Sequence, residues 1–282
     1  MAARTTDNAI GVRRLGFGVS GPLALPITPP NFTAGMIQRA YELGVRLFDT
    51  APVYGAGEGE RRLGEALARL PRHDCIVSTK AGVTASGLSQ RTRDFSPAAI
   101  RKSVETSMQR LGTRIDWLLL HGPSASELTP DLFKMLEGLQ RRGDIGVIGV
   151  AGRGAELDAA LGTGRFGVFM TPVNVGLNSY ELDRLARIRN SGVEVVAIEA
   201  LAAANRRFPA PVSAGATWRL ARALLGRSNP APPTPMTADE CLQWALGEAG
   251  AHRVVVTTTR LDHLEANVDS LTAPSSGRLI GG

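Results

Sequence analysis

An acid, a phenol, an amine and an imidazole each stand at or just beyond the end of an apolar run in this 282-residue chain. Asp49 closes Arg46-Leu47-Phe48 and is followed by Thr50-Ala51-Pro52-Val53-Tyr54. Lys80 closes Cys75-Ile76-Val77-Ser78-Thr79, and His121 closes Ile115-Asp116-Trp117-Leu118-Leu119-Leu120. Functional groups concentrate where rigid strands hand over to loops. Singly, each has a dull role: Asp49 capping a turn, Lys80 ending a strand in solvent, His121 satisfied in a core. As a set they describe a chemistry. A lysine beside a phenol favours the phenolate, and an aspartate paired to that lysine keeps it charged and oriented. An imidazole can hydrogen-bond the same oxygen that the phenol protonates. Such a group protonates a carbonyl oxygen as it gains negative charge, which is what hydride addition to an aldehyde or ketone demands.

For these groups to meet, neighbouring strands must run parallel and end on one rim. The chain alternates in the required way. Helical spacing of apolar residues predicts helices near 31–43, 58–70, 97–111, 130–142, 155–161, 180–190 and 261–268, with a capping box at Thr237 and Glu240 opening another. Short, continuously apolar runs near 14–20, 45–48, 75–79, 115–120, 145–150, 166–170, 193–198 and 253–256 fit parallel strands buried on both faces. Eight such units predict an α/β protein, a (β/α)₈ TIM barrel filling 1–282 as a single domain, with its active site at the C-terminal ends of the strands. The pattern is interrupted at 205–236, a long Pro-, Arg- and Ser-rich loop after the seventh strand, read as a lid or clamp. Gly16, Gly18 and Gly21 satisfy G-x-G-x-x-G, but Pro22, Pro26, Pro29 and Pro30 follow where the dinucleotide fingerprint needs a helix. These glycines are expected to serve a close backbone approach or a tight bend.

Composition excludes several classes. Net charge is +6, but the arginines are dispersed and aromatic content is 5%, against a nucleic-acid partner. No apolar run reaches the roughly 18–20 residues of a membrane span, and residues 1–8 lack an apolar leader. Cys75 and Cys241 are expected as reduced, packed thiols, which suits a cytoplasmic protein. His73, His121, His252 and His263 are scattered without metal-ligand spacing, so no metal is expected.

From Leu15 to Asn267 the chain resembles the aldo-keto reductases, most strongly in Gly44-Val45-Arg46-Leu47-Phe48-Asp49-Thr50-Ala51-Pro52-Val53-Tyr54-Gly55, Val77-Ser78-Thr79-Lys80-Ala81-Gly82 and Asp116-Trp117-Leu118-Leu119-Leu120-His121. The resemblance implies a catalytic tetrad of Asp49, Tyr54, Lys80 and His121, with Tyr54 the general acid. It implies a nicotinamide cofactor without a Rossmann motif, NADPH favoured and NADH possible. The cofactor-binding set implied is Ala151, Gly152, Met170, Ile198, Leu201, Thr258, Thr259, Arg260 and Asn267. Ala151-Gly152 stands where the family usually has Ser-Asn, Met170 where it has Gln, and Ile198 where it often has an aromatic. Asn174 matches an Asn further on. Thr258, Thr259 and Arg260 would take a 2′-phosphate beside a helix start, and Asn267 the adenine.

The expected partner is a small carbonyl or alcohol substrate, its pocket formed by 19–28, 84–95 and the long loop; oligomeric state is left open. Three other readings stand beside carbonyl reduction: an NAD-dependent sugar or lactol dehydrogenase running oxidatively, a barrel lyase with a Lys80 Schiff base, and a nucleotide-sensing barrel without turnover.

Overall fold

The computed structural model describes residues 11–86, 90–204 and 236–272. Eight parallel strands close into a barrel: β1 (Leu15–Gly18), β2 (Leu47–Asp49), β3 (Ile76–Ala81), β6 (Ile115–His121), β7 (Ile145–Ala151), β8 (Val168–Pro172), β9 (Glu194–Ile198) and β10 (Arg253–Val256). The last strand pairs with the first, Gly16 opposite Val255. The remaining two strands, β4 (Val83–Ser86) and β5 (Gln90–Arg93), form a separate antiparallel hairpin directly after β3. The helices are α1 (Pro30–Glu42), α2 (Glu58–Leu67), α3 (Pro97–Leu111), α4 (Pro130–Arg142), α5 (Ala155–Thr163), α6 (Ser179–Asn190), α7 (Ala238–Gln243) and α8 (Leu261–Thr272).

Local chemistry sets the helix limits. Ser96 Oγ accepts from Ala99 N–H and Pro97 opens α3; Thr129 Oγ1 accepts from Leu132 N–H and Pro130 opens α4. Both end on a left-handed glycine, Gly112 and Gly143. Capping boxes fasten the starts of α6 (Asn178, Glu181) and α7 (Thr237, Glu240).

Side chains alternate along the barrel strands and so divide into two cores. The outer layer, between strands and helices, holds Phe17, Phe48, Val77, Leu118, Leu120, Ile148 and Phe169 among others. The inner layer is a small plug of Leu47, Trp117, Leu119, Ala151, Val168, Met170, Val196 and Val255. Two residues beyond Leu47 on the same inward row comes Asp49, and two beyond Leu119 comes His121. The inward row of β3 is Ile76, Ser78 and Lys80. An apolar floor thus gives way to Asp49, Lys80 and His121 at the C-terminal ends of the strands, while at the opposite end Arg253 lies over Trp117 and pairs with Glu194.

The fingerprint glycines serve close packing. A Cβ on Gly16 would lie 2.9 Å from side chains of both Leu47 and Val255, and one on Gly18 would lie 2.5 Å from Thr257 Oγ1. Gly21 has φ +55° at the start of a 3₁₀ turn. Cys75 and Cys241 are free and buried, and burial pushes both thiols up from their ordinary pKa. Among the described residues no helix is long and apolar enough to cross a membrane. Residues 205–235 of the expected loop lie outside the described residues.

Candidate active site

Lys80 is 2% exposed at the end of β3, and its Nζ donates to Asp49 Oδ2 at 2.7 Å and to the Thr50 carbonyl at 2.9 Å. The second carboxylate oxygen of Asp49 accepts from Ser78 Oγ at 2.8 Å. The side chains of both charged residues are buried. Such a pair survives burial only when its remaining donors and acceptors are matched, as they are here. Burial opposes the Lys80 charge, but Asp49 and then Tyr54 outweigh it and hold its pKa above the ordinary lysine value. Ser78 escaped the sequence reading. Its signal was parity: two residues before Lys80 on a strand, it had to share the same face.

Tyr54 reaches the lysine from an unusual turn. Its ring centroid lies 5.2 Å from Lys80 Nζ. The three residues after it, Gly55, Ala56 and Gly57, all adopt left-handed backbone, with φ of 60°, 55° and 93°. A Cβ on Gly55 would stand 1.8 Å from the Ala24 carbonyl oxygen, so glycine is required there both for conformation and for space.

His121 completes the group from β6, whose Leu119 pairs with Lys80. It is largely buried, and its Nδ1 has no hydrogen-bond partner. A buried polar atom without a partner in a native fold points to a ligand or water not shown. Burial, then the charges of Lys80, Arg91, Arg153 and Arg93, lower its pKa to about 3, so the ring is neutral at physiological pH.

The expected cofactor residues fall on the other side of the mouth. Ala151 and Met170 belong to the inner plug at 4% and 1% exposed, and half-buried Ile198 packs against it. Gly152 N–H donates to the Met170 carbonyl at 3.0 Å. Leu201 packs instead against the outer layer. Thr258 Oγ1 accepts from the Arg260 N–H at 3.1 Å just before α8, and Asn267 is buried on that helix at 3%. The exposed Arg260 guanidinium is paired with Asp262.

Sequence reasoning also missed Arg153 and Glu199. Arg153 Nη1 donates to Glu199 Oε2 at 2.8 Å, with a second contact beside it, so an ion pair links the loops after β7 and β9. The Arg153 backbone is gripped from both sides: its N–H donates to Glu156 Oε1 at 2.6 Å and its carbonyl accepts from Arg184 at 3.3 Å. Glu199 has φ +58°, which no residue pattern signals for a glutamate.

The family profile described as Aldo/keto reductase family matches residues 15–276. The chain belongs to the aldo/keto reductase family. It is 33% identical over 198 residues to a D-threo-aldose 1-dehydrogenase of a Pseudomonas species, covering 58% of this chain and 60% of that protein. It is 30% identical to an L-galactose dehydrogenase of Arabidopsis thaliana, covering 70% and 64%. An NADH-specific methylglyoxal reductase of Escherichia coli is also 30% identical, covering 68% and 64%. The matched part of the chain thus spans about three fifths of the length of these relatives. Among solved structures, an aldo-keto reductase of Bacillus halodurans in its holo form superposes with a TM-score of 0.75 at 26% identity, covering 93% of this chain and 87% of the other. The family is one of oxidoreductases that use nicotinamide cofactors.

The residues present suit such a cofactor. The unpartnered His121 Nδ1 marks a place where a ligand atom is wanted, and Ala151, paired with His121 across β6 and β7, and Ile198 belong to the apolar layer beneath that rim. The Thr258 and Thr259 hydroxyls and Arg260 stand at the N-terminus of the 12-residue α8, where an anion is favoured.

Proposed function

We propose that this protein reduces a small aldehyde or ketone with NADPH or NADH, Tyr54 giving the proton. The observation that carries this reading is the place of the Lys80 ammonium, bonded to Asp49 at 2.7 Å and 5.2 Å from the Tyr54 ring, on the rim that His121 shares. Asp49, Ser78 and the Thr50 carbonyl fix the ammonium in position. Lys80 in turn stabilises the phenolate left when Tyr54 protonates the substrate oxygen. A neutral His121 has one N–H to offer that oxygen and no charge to repel Lys80. A dinucleotide held there would supply the hydride for the carbonyl carbon. Ala151, Gly152, Ile198, Thr258, Thr259, Arg260 and Asn267 would hold it, with Met170 supporting from beneath and Leu201 from behind.

Tyr54→Phe tests the assignment. It should leave dinucleotide binding near normal and lower kcat by roughly 10²–10⁴-fold. Wild-type rates in that variant would remove Tyr54 as the acid. A second direction is favoured by the two sugar dehydrogenases among the relatives: oxidation of a sugar or lactol, the same proton path run backwards. Initial rates in both directions with each dinucleotide decide between them.

A further inference from the structure

The hairpin β4–β5 is rooted rigidly at the mouth. Gly82 precedes it with φ +95°, and a Cβ there would lie 2.2 Å from the Phe95 ring. The Gly82 carbonyl accepts from Asp94 N–H at 2.9 Å, closing the base. On one side β4 packs against the Tyr54–Gly57 turn. On the other, Arg93 lies over Phe95, 4.6 Å from its ring centroid, and pairs with Glu127, six residues past His121. The hairpin therefore reaches from the Tyr54 turn to the segment that follows β6 and His121.

Its register places Arg93 opposite Val83 and Arg91 opposite Ala85, so the two arginines share a face. Among the described residues the charges named at the mouth can be matched one by one. Lys80 is answered by Asp49, Arg93 by Glu127 and Arg153 by Glu199. Asp94 is engaged with the Ser96 N–H at the start of α3. Arg91 has no ion-pair or hydrogen-bond partner among the described residues, and it acts on His121 more strongly than either Arg93 or Arg153.

We propose that the substrate carries an anionic group, carboxylate or phosphate, recognised by Arg91 while its carbonyl sits between Tyr54 and His121. Arginine suits this role because its planar fork takes two anion oxygens at once. A cofactor phosphate is a poor candidate for the same charge, because its expected ligands follow β10, with β1 and β2 between that strand and β3. The inference deepens the carbonyl-reduction reading and rests on it for its kinetic readout.

The test compares matched aldehydes: succinic semialdehyde against butanal for a carboxylate, glyceraldehyde 3-phosphate against glyceraldehyde for a phosphate. With wild type, kcat/KM for at least one anionic member should exceed that of its neutral partner by about tenfold or more, and the pair that responds names the anion. That ratio should drop about tenfold or more in Arg91→Gln, a change of about 1.4 kcal/mol, and recover in part in Arg91→Lys. Ratios near one in wild type, or a ratio unchanged in Arg91→Gln, overturn the proposal. If wild type turns over no aldehyde with either dinucleotide, the carbonyl-reduction reading fails by itself. Calorimetry with succinate and with inorganic phosphate then decides the anion site: binding lost in Arg91→Gln upholds it, and absent or equal binding sinks it.

Discussion

Two neighbouring residues of β3 each meet a buried carboxylate, on opposite faces of the strand. Thr79 points outward and donates to Glu60 Oε1 at 2.8 Å; Lys80 points inward and donates to Asp49 Oδ2 at 2.7 Å. Glu60, fully buried on α2, also accepts from Arg110 of α3 at 3.0 Å, so the outer cluster ties one strand to two helices. Every link in it is matched, and it ends in an arginine at the solvent edge. The inner pair differs in what lies beside it: a phenol on a turn and an imidazole nitrogen with no partner. Burial and short hydrogen bonds are common to both faces. Unpartnered buried hydroxyls occur outside the barrel too, at Ser103 and Ser107 of α3; what sets the inner face apart is that its unpartnered atom is an imidazole nitrogen on the same rim as a phenol and a buried ammonium.

Substitutions on the two faces should separate by readout. Lys80→Met has the largest expected effect. Turnover should fall by about 10²–10⁴-fold, and the unpaired Asp49 should cost roughly 3–5 kcal/mol in urea unfolding. Normal turnover in that variant would erase the distinction between the faces. Thr79→Val, one residue away, should do the reverse: a loss of about 1–3 kcal/mol from the unsatisfied Glu60 oxygen, with kcat within about twofold of wild type.

His121 sharpens the inner face through pH. Its folded pKa of about 3 lies below the ordinary 6.5, so between those values the unfolded chain binds more protons. Its contribution to stability is fully present above about pH 6.5 and is lost as pH falls towards 3. Denaturation midpoints measured across that window should slope less in His121→Asn than in wild type, and parallel curves would argue against a neutral, buried imidazole. The smallest effect belongs to the far side of the mouth. Arg260→Ala should weaken NADPH binding relative to NADH by a few-fold, and Asp262→Asn, which frees the guanidinium, should strengthen it. An unchanged preference in both removes the phosphate contact.

The contrast between faces also explains what could be read from sequence. Asp49, Lys80 and His121 were legible because a polar residue at the end of an apolar run is conspicuous, and strand parity gathers such residues at one end of a closed barrel. Ala151, Met170 and Ile198 are of the same residue types as the barrel floor they adjoin, so composition carries no cofactor signal there; their placement leaned on resemblance. The hairpin was read only as pocket-lining loop. Its strands, Val83–Ser86 and Gln90–Arg93, alternate weakly and carry two arginines where buried strands carry apolar residues. The π-helical turn Trp244–Glu248 after α7 was likewise hidden, because its apolar spacing passes for an ordinary helix.

The backbone run Gly55-Ala56-Gly57 has a practical meaning for anyone reshaping this protein. Because the phenol is aimed by three consecutive left-handed residues wedged against the Ala24 carbonyl and the Arg110 guanidinium, there is no slack by which the tip could be re-pointed. On the proposed role of Tyr54 as proton donor, new substrates would have to be brought to the phenol through changes in the arginine-bearing ribbon across the opening.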